Sequence, residues 1–160
     1  MTLSADYPRT TDMDLMARRC RPGTLAFYRY WDGKRAGRQM PARRDIDPVD
    51  MKLWLPNMQL IDVHYNPRRL VYRLVGEIDV SFRGYNPTGR TVEECGIGRN
   101  IAETLMNYET VIGGRACVYD WSDYVSPSGY LSSQECLLLP LSDDGETVNM
   151  VVTYADVSKE

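Results

Sequence analysis

The stretch NIAETLMNYETVIGG, residues 100–114, decides the fold. Asn100 offers an N-cap oxygen, Glu103 stands at the capping-box position, and Gly113 with Gly114 supply a stop. Between them Ile101, Leu105, Tyr108 and Ile112 recur at helical spacing, which predicts an amphipathic helix whose apolar face lies on a sheet. Downstream, ACVYDWSDY, YLSSQECLLLPL and TVNMVVTYADV read as three strands joined by the tight turns SPSG and SDDGE. Upstream, MQLIDVHY and RLVYRLVG flank Asn66, Pro67 and two arginines, the pattern of a short antiparallel hairpin. From Glu77 to Gly98 the chain breaks into short helical or turn pieces, interrupted by Gly84, Pro87, Gly89, Gly96 and Gly98. The order predicts an α+β domain with a five-stranded antiparallel sheet.

Nearer the N-terminus, DMDLMARRC is a short helical signal ended by Pro22–Gly23, and Thr24 stands as N-cap of TLAFYRYWDGKRAG. There Leu25, Tyr28 and Trp31 share a face, with Phe27 beside them; such aromatic anchors suit packing on the parent domain or a dimer contact. In DPVDMKLWLP, Asp47 as cap and Pro48 at the first helical position predict a short helix closed by Pro56, with Met51, Leu53, Trp54 and Leu55 on its apolar side. VYRLV and TVNMVV carry apolar residues on both sides of the alternation, so both sheet faces are expected to be covered. Arg73 interrupts the first of these and calls for a carboxylate partner, Asp62 or Glu135, or else holds a ligand carboxylate. The expected organisation is a polar arm with a possible short helix over residues 1–22 and a single domain over 23–160.

Composition narrows the function. With 160 residues there is room for one core, and 43% hydrophobic with 26% charged residues describes a globular protein. No apolar run approaches the roughly 18 residues of a membrane span, and the N-terminus lacks signal-peptide character, so the expected location is cytoplasmic. Four scattered cysteines without a CxxC pair, and the single histidine His64, point to neither a zinc site nor a disulfide framework. No nucleophile motif accompanies His64. Up to Ile46 basic residues outnumber acidic ones 10 to 5, but they are dispersed and lack a groove-reading motif, so no nucleic-acid partner is expected.

GYNPTGRT, residues 84–91, has the outline of a phosphate-binding loop. Arg90 stands where that loop needs lysine, and Pro87 removes a backbone donor. The local reading is a turn: Asn86 and Pro87 start it, Gly89 takes positive φ, Thr88 or Thr91 caps a short helix, and Arg90 ties the turn to a carboxylate.

The tryptophan-bearing helix at Trp31, MPARRDIDP, LPNMQLIDV, RRLVYRLVGEID, NPTGRT and LLLPLSDDGETVNMVV, in this order over about residues 24–155, resemble a family of small stand-alone PAS proteins of alphaproteobacteria. The resemblance implies a PAS fold, in which the central helix and short helices enclose a small cavity on one sheet face. It also implies that the N-terminal helix packs on the outer face and helps dimerise. The partners implied are a homodimer through Leu25, Tyr28, Trp31 and the outer sheet face, and an unidentified signalling protein. A haem-binding PAS domain supplies a histidine from the long helix, and residues 100–112 contain none. In flavin photosensors of this fold a cysteine after the second strand precedes an arginine and apolar and glutamine residues; Cys95 is placed suggestively, but GIGRN departs from that pattern. Haem and flavin are therefore not expected, and the cofactor is unknown. Tyr72, Arg73, Met106, Tyr108, Tyr119, Trp121, Glu135 and Tyr154 are the candidate ligand-binding residues; no catalytic or metal-ligating residue is assigned. The expected function is a non-enzymatic sensory or regulatory module. Its alternatives are a ligand-free adaptor or a small cavity enzyme using Asp120, Asp123 or Glu135 as general base.

Overall fold

A computed structural model describes residues 8–95, 101–125 and 131–159. In chain order the elements are β1 (Arg9–Thr10), α1 (Met13–Arg19), α2 (Pro22–Arg35), β2 (Met58–His64), β3 (Arg69–Val75), α3 (Glu77–Arg83), α4 (Val92–Cys95), α5 (Ile101–Gly114), β4 (Val118–Val125), β5 (Leu131–Leu141) and β6 (Met150–Lys159). The strands form one antiparallel sheet in the order β1-β4-β5-β6-β2-β3. The expected sheet of five thus gains a sixth strand from the segment read as a polar arm. Arg9 and Thr10 pair with Asp120 and Tyr119, and the Trp121 N–H donates to the Pro8 carbonyl at 3.2 Å. Two residues are too few to show a period of two, so the sequence carries no strand signal there.

The pleat divides the core into two layers. On the outer face Leu60, Leu137, Leu139, Leu141 and Val152 pack with Met16 of α1 and with Phe27 and Trp31 of α2. On the inner face Ile61, Val63, Leu138 and Val151 pack with Tyr108, Val111 and Ile112 of α5. Alternation along β5 makes the division plain: Leu137, Leu139 and Leu141 face outward while Cys136 and Leu138 face inward.

Several local expectations change. Helix α2 begins at Pro22, whose fixed φ suits the first helical position, and Arg21 is its N-cap; Thr24 lies inside the helix, fully buried. The segment after Asp47 is a run of turns, with i to i+3 bonds from the N–H groups of Asp50, Met51 and Trp54, and ends in a 3-10 turn at Leu55–Asn57. Met51 is buried but Leu53 is 88% exposed, because a turn chain does not keep the helical face that the spacing assumed. On α5 the buried residues are Asn107, Tyr108, Val111 and Ile112, so the inward face is rotated past Ile101, which is exposed. The Asn100 cap lies outside the described residues.

Trp31 is 2% exposed and its indole Nε1–H donates to the Pro140 carbonyl at 3.0 Å. This is contact within one chain, so the ring and the sheet face beneath it are already occupied. Trp31→Ala is expected to cost about 3–5 kcal/mol in urea unfolding, through the cavity it leaves and the orphaned carbonyl.

The turn before β6 is built on Asp144, whose Oδ1 accepts from the N–H groups of Thr147 at 2.7 Å and Glu146 at 2.8 Å. Those donors, with the Ser142 hydroxyl, hold its carboxyl at about 2 against the ordinary 3.8. A depressed folded value means that the contribution is present above the unfolded pKa and is lost as pH falls toward the folded one. Stability measured between about pH 4 and pH 2 is expected to fall more steeply for the native chain than for Asp144→Asn.

Candidate functional site and the family it defines

Between the inner face and the helices lies a cavity of about 370 Å³. Strand register lays out its floor in three rows. Gln59, Thr153 and Leu138 form the first, Ala155, Cys136 and Asp120 the second, and Val157, Gln134 and Ser122 the third. Small side chains at the centre, Ala155 and Cys136, leave the space open. Tyr108, Thr104 and Asn107 of α5, Tyr72 of β3 and Ile78, Asp79, Phe82 and Arg83 of α3 complete the walls. Ile78 and Phe82 are 49% and 58% exposed, which places the mouth of the cavity along α3.

Two polar networks brace the ends. At the α3 end the Arg83 side chain is 3% exposed, and its Nε donates to Asp79 Oδ1 at 3.0 Å. Its other nitrogens donate to the Tyr72 hydroxyl at 3.1 Å and to the Cys95 carbonyl, and its plane lies 4.9 Å from the Tyr72 ring centroid. Gln59 donates to the second oxygen of Asp79 and accepts from the Thr153 hydroxyl at 3.2 Å. At the other end Asn107 Nδ2 donates to Asp120 Oδ2 at 2.8 Å, and Asn107 Oδ1 accepts from Arg9 at 2.7 Å. Arg9 also pairs with Glu103. One side chain of the added strand therefore reaches over the sheet edge to the cavity helix.

The eight residues proposed from sequence are divided by the sheet. Tyr72 and Tyr108 line the cavity; Met106, on the same helix as Tyr108, is not among its lining residues. Tyr119, Trp121, Glu135 and Tyr154 lie on the outer face, where they fasten the N-terminal segment. Glu135, 4% exposed, accepts from the Arg21 backbone N–H at 2.9 Å and the Tyr119 hydroxyl at 3.2 Å. Arg19 sits 4.2 Å from the Trp121 ring centroid, and Tyr154 stacks on Phe27 at 5.2 Å. Burial, then the Glu135 charge, pushes the Tyr119 hydroxyl up to about 12, so it remains a donor. Arg73 is exposed on edge strand β3, 3.4 Å from Asp62, because the run that looked central is the last strand of the sheet. With both faces covered, alternation assigned parity to these residues but not which parity faces the cavity.

The carboxylates grouped as general bases are likewise separated: Asp120 faces inward, Glu135 outward, and the Asp123 side chain lies outside the described residues. Cys136, the thiol on the cavity floor, is pushed well above its ordinary value, first by burial and then by Asp120, so it is a protonated, packed thiol. Cys95 is buried in the inner-face core cluster and is not among the residues lining the cavity. The loop at residues 84–91 is spent on the sheet edge: Gly89 N–H donates to the Tyr72 carbonyl at 2.8 Å, and Tyr72 N–H to the Arg90 carbonyl at 2.9 Å. Gly89 has φ +88°, Thr91 caps α4 through the Glu94 N–H, and Arg90 lies over the Tyr85 ring rather than on a carboxylate. Sequence reasoning missed Arg83, Asp79, Asn107 and Gln134. The available signal was a polar residue on an otherwise apolar helix face, as with Asn107, or at the inward parity of a buried strand, as with Gln134.

A family model described as PAS domain matches residues 19–154, and the chain belongs to that family. Comparison with curated proteins gives no match. Among solved structures, a light-oxygen-voltage domain studied with a flavin analogue superposes with a TM-score of 0.51 at 10% identity, over 70% of this chain and 84% of that one, which shows the same fold. The aureochrome1 light-oxygen-voltage domain in its light state has a TM-score of 0.48 at 11% identity, over 71% of this chain and 89% of that one. The PAS domain of an HTR-like protein from Haloarcula marismortui has a TM-score of 0.38 at 14% identity, over 69% and 96%. Among the described residues no helix is long and apolar enough to cross a membrane, and no cluster of His, Cys, Asp or Glu could hold a metal ion.

Arg9→Ala removes the side chain that, among the described residues of β1, is bonded to α5. Amide exchange at Trp121, whose N–H reaches the Pro8 carbonyl, is expected to accelerate about tenfold or more while amides of β5 and β6 keep their protection.

Proposed function

We propose that the chain is a PAS sensory or regulatory module that holds a small organic molecule in the cavity above the inner sheet face and passes its occupancy to a signalling partner in a bacterial cytoplasm. The observation that carries this reading is the cavity itself. At about 370 Å³ it falls in the range of small-molecule sites. Its walls are apolar with a few placed polar groups, and its central floor is kept low by Ala155 and Cys136. A filled core needs neither feature. In this reading the module works without catalysis: burial keeps its floor thiol protonated, and among the described lining residues the carboxylates Asp79 and Asp120 are bonded to Arg83 and Asn107. The ligand is organic, and neither haem nor flavin is required by this reading.

Self-association through the N-terminal helix belongs to the same proposal in a narrower form. Trp31 and Phe27 are consumed inside the chain, so a homodimer would use the partly exposed flank of α2 beside them, where Leu25 and Tyr28 are only half-buried and Tyr28 packs against Trp31. The Arg9 link from α5 to β1 offers a route by which a change at the cavity wall reaches the N-terminal segment.

The test fills the floor. Ala155→Leu places a branched side chain in the middle row, and its stability is expected to stay within about 1.5 kcal/mol of the native chain, because the space it enters is open. Mass spectrometry of small molecules extracted from the two purified proteins is expected to find a ligand only with the native chain. Equal ligand content in both would place the molecule elsewhere and sink this reading.

A further inference from the structure

The polar groups of the cavity fall into two sets. Arg83, the only cation among the described lining residues, has every nitrogen engaged: Nε with Asp79 and the others with the Tyr72 hydroxyl and the Cys95 carbonyl. This guanidinium is 3% exposed, its charge is already paired with Asp79 and each of its nitrogens already has a protein acceptor, so although two of its five N–H groups carry no described bond it is not a free cation for an incoming anion. The side chains of Gln59, Thr153, Asn57 and Asn107 are likewise bonded within the chain. In contrast, the Gln134 amide, the Ser122 hydroxyl and the Tyr108 hydroxyl line the cavity without a hydrogen-bond partner among the described residues. Gln134 and Ser122 are register partners on β5 and β4, so they stand side by side on the floor. All three groups are uncharged. Burial, with Tyr72 next in effect, pushes the Tyr108 hydroxyl well above its ordinary value, so it stays neutral.

We infer that the part of a ligand seated in this cavity is itself uncharged and presents an amide-like donor and acceptor edge to Gln134 and Ser122. This rests on the ligand-binding reading above and gives it a chemical class: a largely apolar molecule with a primary amide, lactam, urea or similar neutral head. A carboxylate entering the cavity would lose its hydration and meet Asp79 and Asp120 without a cation free to pair with it. An amide meets Gln134, which offers both a donor and an acceptor, with the Ser122 hydroxyl beside it.

The experiment uses matched pairs of aromatic primary amides and their isosteric carboxylic acids, titrated calorimetrically into the full chain at neutral pH. Binding is counted as cavity binding only where Ala155→Leu abolishes it, which removes acids held by surface arginines. The amide of a pair is expected to bind about tenfold or more tightly than its acid. Gln134→Leu is expected to reduce amide affinity about tenfold, and Gln134→Lys to shift the preference toward the acid. Acids binding as tightly as amides would overturn this inference alone, as would an unchanged preference in Gln134→Lys. Silence from both halves of the set would overturn the ligand reading of the cavity and this inference with it.

Discussion

Along β5 the backbone turns each successive side chain to the opposite face of the sheet, and neither face meets open water over the central part of the strand. Everything else follows from how those two faces are closed. Leu137, Leu139 and Leu141 are sealed by the first two helices, and Cys136 and Leu138 by α5. The outer closure is dense: Trp31 and Phe27 fill it, and Glu135 takes a backbone N–H at the start of α2. The inner closure is incomplete, because α5 covers the Val118 to Val151 end while α3 stands off the other end, and the difference between the two closures is the cavity.

Charge placement near that cavity is set by the cost of burial. A guanidinium or carboxylate removed from water needs a partner at hydrogen-bond distance. Asp79 lies four residues before Arg83, one turn back along α3, so the pair meets on one side of that helix. Arg83 then braces α3 to the Tyr72 ring and to the end of α4, which holds the mouth of the cavity in shape. At the far end Arg9 does the equivalent work from the edge strand of the sheet, tying β1 to Asn107 and Glu103. The charged groups serve architecture, and Gln134, Ser122 and Tyr108 are the neutral ones to which the proposed reading gives a ligand.

Much of the fold was legible because its signals are local. The long helix, the two-strand hairpin and the three-strand meander each announce themselves by period and by turn residues, and the structure has them in that order. Motif order over most of the chain pointed to the PAS family, and the family match agrees. Residues 84–91 were readable as a turn for the same reason: Gly89 and Thr91 act on neighbours within a few positions. The segment after Asp47 misled because a good cap and a Pro at the first position are necessary for a helix without being sufficient. Leu53 on the would-be apolar face found nothing to bury against.

The candidate site was less legible, and the reason is geometric. A strand apolar on both sides reveals that both faces are covered but not which face is covered loosely. Tyr119, Trp121, Glu135 and Tyr154 therefore looked as suitable as Tyr72 and Tyr108, and only the packing of the N-terminal helices against the first group separated them. Arg83 and Arg9 acquire meaning from partners 12 and 98 residues away, such as the Cys95 carbonyl and Asn107. By itself the sequence determined the long helix, the hairpin and the meander, their order and the family, since these rest on periodicity, capping and turn chemistry between near neighbours. The tertiary structure alone decided the sixth strand, the face that carries the cavity and the polar groups left open within it. Those depend on which distant surfaces meet, and on the buried groups that are satisfied when they do.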